Sequence, residues 1–137
     1  MKLVLALAVI FSMLLTACSP APIKTSELAG NWQLASFTGN ETLQVQGDEP
    51  ITLNFDSTKQ SINGFAGCNR YFGQYDLSDG KLSFSKMGMT KMLCQENNEI
   101  ELYFMEQLKS VAGAQIRSGK LQLTSSNGDV LLELTRG

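Results

Sequence analysis

The sequence predicts an α+β fold that is mainly β: a curled antiparallel sheet, a partly open barrel, with one α-helix packed against it. Three observations carry this. Short runs alternate apolar and polar residues, Gly- and Asn-containing turn signals separate them, and a single segment switches to helical spacing. A sheet hydrophobic on one face must be covered, and one amphipathic helix suits an open face or mouth.

The elements follow in order. Trp32-Gln33-Leu34 alternates up to Phe37, and Thr38-Gly39-Asn40-Glu41 turns the chain. Leu43 and Val45 alternate with Gln44 and Gln46, reading as a further strand that Gly47-Asp48-Glu49-Pro50 ends. Ile51, Leu53 and Phe55 alternate with Thr52 and Asn54, the period of a half-buried strand. Asp56 to Lys59 then turns the chain into Gln60 to Phe65. Tyr71 to Leu77, a Ser78-Asp79-Gly80 turn and Lys81 to Ser85 read as a hairpin. The last third repeats the pattern: Ala114 to Arg117, Ser118-Gly119, Leu121 to Leu123, Ser126-Asn127-Gly128 and Val130 to Leu134. Asn-Gly between apolar runs is the strongest short hairpin signal. The helix lies within residues 95–113, where Ile100, Phe104, Leu108 and Val111 share one face. Asn97 or Asn98 is placed to cap it, Glu99 and Glu101 suit its positive end, and Gly113 is placed to stop it.

The amino terminus indicates where the domain lives. Met1-Lys2 precedes an uncharged apolar run from Leu3 to Leu15, the layout of a secretory signal and too short for a membrane span. Leu15-Thr16-Ala17-Cys18 resembles the lipobox of bacterial lipoproteins. The resemblance implies a signal peptide over 1–17, with a diacylglycerol and a fatty acyl (palmitate) chain on Cys18. These covalent groups are the only cofactors expected. Three acyl chains make an effectively permanent tether, so the membrane is the first partner expected. Ser19, where an inner-membrane lipoprotein would carry Asp, resembles an outer-membrane destination facing the periplasm. Residues 18–27, with two prolines and small polar residues, read as the lipidated tether, and 28–137 as the domain.

Composition excludes several function classes. Without Lys2 the chain has 10 basic residues against 13 acidic and no basic block, which argues against nucleic acid. It has no histidine, the commonest general base and metal ligand. With Cys18 used for lipid, Cys68 and Cys94 remain, an even pair in an oxidising compartment. A disulfide between them would contribute about 3.5 kcal/mol in the chain-entropy model. The rival reading is a reactive thiol, assisted only by the charge of Arg70. Met87, Met89 and Met92 offer thioethers for Cu(I), but Lys91 sits among them and no histidine completes a set, so no metal site is assigned. Asp76 with Asp79, Glu96 with Glu99 and Glu101 with Glu106 lie in turns or on a helix's polar side, where solvated carboxylates are ordinary. Neither G-x-S-x-G nor S-x-x-K with its partner motifs occurs. The chain therefore reads as not an enzyme.

Several stretches together carry a family resemblance. NWQLASFTG at 31–39, FAGCNRYFGQY at 65–75, LSFSKMGMTKMLC at 82–94, ELYFMEQL at 101–108 and LQLTSSNGDVLLEL at 121–134 resemble the META domain, the HslJ-like family of small bacterial envelope lipoproteins. The most specific pieces are Gly67-Cys68-Asn69-Arg70-Tyr71, Met89-Thr90-Lys91-Met92 with Cys94, and Glu101 with Phe104 and Leu108. The resemblance covers Leu28 to Thr135 and implies a curled half-barrel with a helix. Its associations are heat-shock induction, tolerance to hydrophobic antibiotics, and secretion or motility. It implies no catalytic set.

Residues 64–73, GFAGCNRYFG, read as a structural joint. Gly64, Gly67 and Gly73 suit a strand that bends or bulges, and Cys68 staples the bend to Cys94. Asn69 and Arg70 are expected to form a polar cluster with a carboxylate such as Glu101. The function expected is non-enzymatic: binding a protein or envelope component in envelope integrity or stress tolerance. The alternative is a carrier or pilot for secretion machinery, holding a lipid tail or peptide in a groove lined by Trp32, Phe55, Phe65 and Phe104.

Overall fold

A computed structural model describes residues 20–137. The signal segment, Cys18 and Ser19 lie outside the described residues. The elements are α1 (Thr25–Leu28), β1 (Gly30–Phe37), β2 (Thr52–Asp56), β3 (Ser61–Phe65), β4 (Arg70–Ser78), β5 (Lys81–Met89), α2 (Asn98–Ser110), β6 (Gly113–Arg117), β7 (Lys120–Thr124) and β8 (Val130–Arg136). All neighbouring strands are antiparallel, and β8 returns to β1, so the curled sheet closes into a ring. Its thinnest seam is between β5 and β6, which share the single pair Lys81↔Gly113.

The alternation read from the sequence is the one that faces inward. Leu53 and Phe55, Tyr71 and Tyr75, Leu121 and Leu123, and Leu132 and Leu134 are buried while their neighbours are not. α2 buries Ile100, Phe104, Met105 and Leu108 against this core. Phe104 meets Tyr71 edge-on at 5.7 Å, and Tyr103 meets Phe37 at 5.1 Å. Edge-to-face pairs add about 0.5–1.5 kcal/mol beyond burial.

Four expectations are corrected. The segment with Leu43 and Val45 is loop: both side chains pack on the core, but the chain forms no strand there. The last residues of the expected tether, by contrast, are structured, since α1 begins at Thr25. Trp32 Nε1 donates to Leu28 O at 2.8 Å, and Arg136 donates to Glu27 O and Ala29 O, fixing that turn. α2 ends at Ser110, before Gly113, because Val111 is already extended and buried. Finally, Trp32, Phe55 and Phe104 are core residues, at most 2% exposed, and pack the interior where a groove was expected. Phe65, half-buried, lies beneath the Arg70 guanidinium at 5.5 Å.

The strands place two kinds of connection at opposite ends of the ring. One end holds the turns 57–60, Asp79–Gly80 and Ser118–Gly119, together with α1 and Arg136. The other holds the loop 38–51, the joint 66–69, residues 90–97 leading into α2, and the turn 125–129.

Candidate functional site

At the loop end, the joint between β3 and β4 is held by contacts from far along the chain. Cys68 and Cys94 form a disulfide with Cα atoms 5.9 Å apart, the pairing read from compartment and parity. The joint's backbone is then satisfied by one side chain from α2. Glu101 Oε2 accepts the Cys68 N–H at 3.0 Å and the Asn69 N–H at 2.5 Å, and Oε1 accepts Asn69 Nδ2 at 2.8 Å. Glu101 is 4% exposed, and its two oxygens accept from three N–H donors, with no ion pair among the described residues. A buried carboxylate is tolerable only when so satisfied.

Asn69, also buried, carries the network onward. Its Oδ1 accepts the Met92 N–H at 2.6 Å and the Thr90 hydroxyl at 3.0 Å. Arg70 N donates to Thr90 Oγ1, and Thr90 N to Arg70 O. The sequence-specific pieces Cys68-Asn69, Thr90 to Met92, and Glu101 thus form one cluster. Arg70 departs from the expected arrangement. Its guanidinium leaves Glu101 alone and pairs on the surface with Glu49 at 2.5 Å. A buried carboxylate with three amide donors has no need of it, whereas the exposed loop carboxylate lies within its reach.

Asn97 also acts differently from the cap expected of it. At the N-cap position its side chain makes no capping bond. Instead Nδ2 donates to Gly67 O at 2.9 Å and Gln46 O at 2.8 Å, and Oδ1 accepts the Gln46 N–H. It ties the joint to the 38–51 loop, which sequence reasoning missed; Asn within this loop-to-helix approach is the only signal that pointed there. The glycines also earn their place by contact. Gly67 has φ +116°, and a Cβ on Gly64 would run into the Thr52 carbonyl. Gly73 sits at the bulge where β4 and β5 change register, against the Met87 thioether.

Beside this cluster, between α2 and the end of β5, lies an open groove of about 430 Å³. It is lined by Met87, Met89, Leu102 and Met105, with Lys91, Glu106 and Lys109 also on its wall. Met92, Leu93 and Leu102 are exposed nearby, as is Phe72, which packs over Gly88. The groove that forms is therefore a Met-lined one on α2, and none of Trp32, Phe55, Phe65 and Phe104, expected to line one, is on its wall. Among the described residues, no group of three His, Cys, Asp or Glu side chains is placed to hold a metal ion, and no helix is long and apolar enough to cross a membrane.

An eight-stranded antiparallel ring with one plugging helix, cross-linked at a buried Asn–Glu joint, defines a class of small β domain. The META domain matches residues 25–136, and this chain belongs to the META domain family. It is 31% identical over 87 residues to heat shock protein HslJ of Escherichia coli K12, across 62% of this chain and 61% of that protein; less than two thirds of that relative is therefore spanned. An NMR structure of a protein from Burkholderia xenovorans is similar with a TM-score of 0.67 and 34% identity, covering 88% of this chain and 93% of that one. A DUF4847 family protein from Bacteroides vulgatus shares the fold alone, at a TM-score of 0.57 and 14% identity, covering 80% and 94%.

Proposed function

We propose that this chain is a non-enzymatic lipoprotein, anchored through Cys18 to the outer membrane and facing the periplasm. Its META domain binds a protein or envelope component and so serves envelope integrity or stress tolerance. The observation that carries this reading is the open Met-lined α2–β5 groove with exposed Leu102 on its wall, and the exposed Met92 and Leu93 that follow Lys91, itself on that wall. Apolar surface rimming a preformed concavity marks binding sites, and methionines let such a site adapt to its occupant. The resemblance to a protein named for heat shock supports the stress setting.

The test is site-specific photo-crosslinking in living cells. A photoreactive residue at Leu93 or Leu102 is expected to give a discrete adduct that one at Lys59, at the hairpin end, does not. Equal capture at both ends, or none, would refute the binding reading. Turnover of an envelope substrate by the purified domain, dependent on Cys68 or Arg70, would refute the non-enzymatic part. The groove's apolar lining also favours a second reading, a carrier for a lipid tail or an amphipathic peptide. A gentle native mass spectrum of the Cys18→Ala protein would then show an adduct of amphiphile mass, which substitution of Leu102 by Asp should remove.

A further inference from the structure

The segment leading from Cys18 does not leave the domain freely. Ile23 packs on the core, Pro22 lies over Gly80, and residues 20–23 run beside β6, leaving a cleft of about 210 Å³ lined also by Ala114, Gln115, Ile116 and Arg117. The topology explains why they fit there. β5 begins at Lys81, level with Gly113, so β6 from Gln115 onward has no β5 neighbour. The incoming segment covers that edge, a usual way of protecting a strand end.

Only Ser19 separates Cys18 from Pro20, a reach of about 7 Å at most. A lipid on Cys18 therefore holds the hairpin end of the ring against the bilayer, with little leash for tumbling. That distance is also inside the Debye length of about 8 Å at physiological salt.

Charge is divided along the same axis. Lys24, Lys59, Lys81, Arg117, Lys120 and Arg136 gather at the hairpin end beside the acids Glu27, Asp56, Asp76, Asp79 and Glu133, while at the loop end Glu41, Asp48, Glu49, Glu96, Glu99 and Asp129 outweigh Arg70 and Lys91. At the hairpin end, Asp56 pairs with Lys59 and Glu133 with Lys120, and the Glu27 carboxylate accepts the Lys24 backbone N–H. Asp79 is an acid on this face without an ion pair among the described residues. Lys24, Lys81 and Arg117, nearest the incoming segment, are likewise outside any ion pair there, and exposed Ile116 stands beside Arg117.

We propose that the hairpin end, centred on Lys24, Lys81, Ile116 and Arg117, is a membrane-facing surface that docks on anionic phospholipid. Docking holds the joint and the α2 groove outward into the periplasm. This rests on the Cys18 anchor proposed above. Basic side chains near an anionic leaflet are attracted to it, and an apolar residue among them enters the interface.

The test is amine footprinting of the full lipoprotein in vesicles, with its N-terminal peptide weighed in the same experiment. In phosphatidylethanolamine vesicles containing phosphatidylglycerol, Lys24 and Lys81 are expected to label several-fold more slowly than in the soluble Cys18→Ala protein. Lys91 and Lys109, on the α2 groove, should label at unchanged rates. In vesicles without anionic lipid, or in a Lys81→Glu/Arg117→Glu variant with unchanged Tm, the protection of Lys24 should fall away. Uniform labelling of an acylated protein, or protection of Lys91 and Lys109 instead, overturns the orientation and leaves the anchor standing. An N-terminal peptide without acyl chains overturns the anchor, and the orientation with it.

Discussion

The two ends of the ring solve the same problem, reversing a chain, by opposite means. At the hairpin end the turns are local. Asp79-Gly80 and Ser118-Gly119 have φ near +51° then +75° or so, the left-handed pair that matches the twist of a two-residue hairpin. Asp56 closes its own turn by accepting the N–H groups of Thr58 and Lys59. At the loop end the joint depends on Glu101 and Cys94, more than twenty residues downstream. An end built locally can dispense with any one side chain, whereas an end built on a shared carboxylate cannot.

The largest test removes that carboxylate. Glu101→Ala leaves the Cys68 and Asn69 backbone N–H groups and one N–H of the Asn69 amide without their acceptor in a buried site, while the amide keeps its bond to Met92 O. Each unsatisfied group costs about 1–3 kcal/mol, so a loss of about 4 kcal/mol is expected in urea unfolding. Glu101→Gln, which keeps one oxygen, should lose less. A cost below about 1 kcal/mol for Glu101→Ala would mean the disulfide alone holds the joint. Replacing Cys68 and Cys94 together by Ala should cost somewhat less, about 3.5 kcal/mol, because the hydrogen-bonded network stays. If that variant proves the less stable of the two, the ranking of carboxylate over staple is wrong.

This contrast also explains what the sequence could disclose. Local signals were legible: every Gly-containing hairpin turn, the inward alternation, the helical face of Ile100, Phe104 and Leu108, and the cysteine pair. Long-range choices were less so. Leu43 and Val45 alternate like a strand, but β1, which they follow, has no edge left for them, since it already lies between β2 and β8. Asn97 looked like a cap because capping is local; its real partners, Gln46 and Gly67, are 51 and 30 residues away. Trp32, Phe55 and Phe104 were large and apolar, which marks burial without distinguishing a wall from a filling. The Asn69–Glu101 pairing was legible only because both lie in the family's most specific pieces.

Glycines at the two ends should respond differently to a single methyl group. At Gly64 the new Cβ meets backbone of β2 and the Tyr71 hydroxyl, none of which can withdraw cheaply. Gly64→Ala should therefore cost about 2–3 kcal/mol as overpacking. At Gly119 nothing lies within 4 Å, and only the left-handed φ of +76° opposes a side chain. Gly119→Ala should cost about 1 kcal/mol, and Gly119→Asn less, since Asn tolerates that conformation. Thermal unfolding of the three variants decides the matter. Equal costs for the two alanines would show that packing at the joint is looser than its geometry.

The smallest effect, and the one whose sign is most informative, concerns two tyrosines of β4. Tyr71, toward the loop end, donates its hydroxyl to Thr52 O at 2.7 Å; Tyr75, toward the hairpin end, has a buried hydroxyl with no partner among the described residues. Burial pushes both phenols above their ordinary range, and at Tyr75 the Asp56 charge adds to it. Both are therefore neutral in the folded state at pH 7, and a change of either to Phe removes the hydroxyl alone, so the pair of variants compares a bonded hydroxyl with an unbonded one. Tyr71→Phe should lose about 1 kcal/mol, the net worth of a made bond, while Tyr75→Phe should lose nothing or gain up to about 1 kcal/mol. The sign of the pH effect is fixed by the same shifts. A phenol raised in the folded state stabilises fully below its unfolded value near 10, and that contribution fades as pH rises from there toward the folded value. Wild-type protein should thus lose stability above pH 10 faster than either Phe variant. A destabilised Tyr75→Phe at neutral pH would show that this hydroxyl has a partner, and that the hairpin end, like the loop end, holds a buried polar contact.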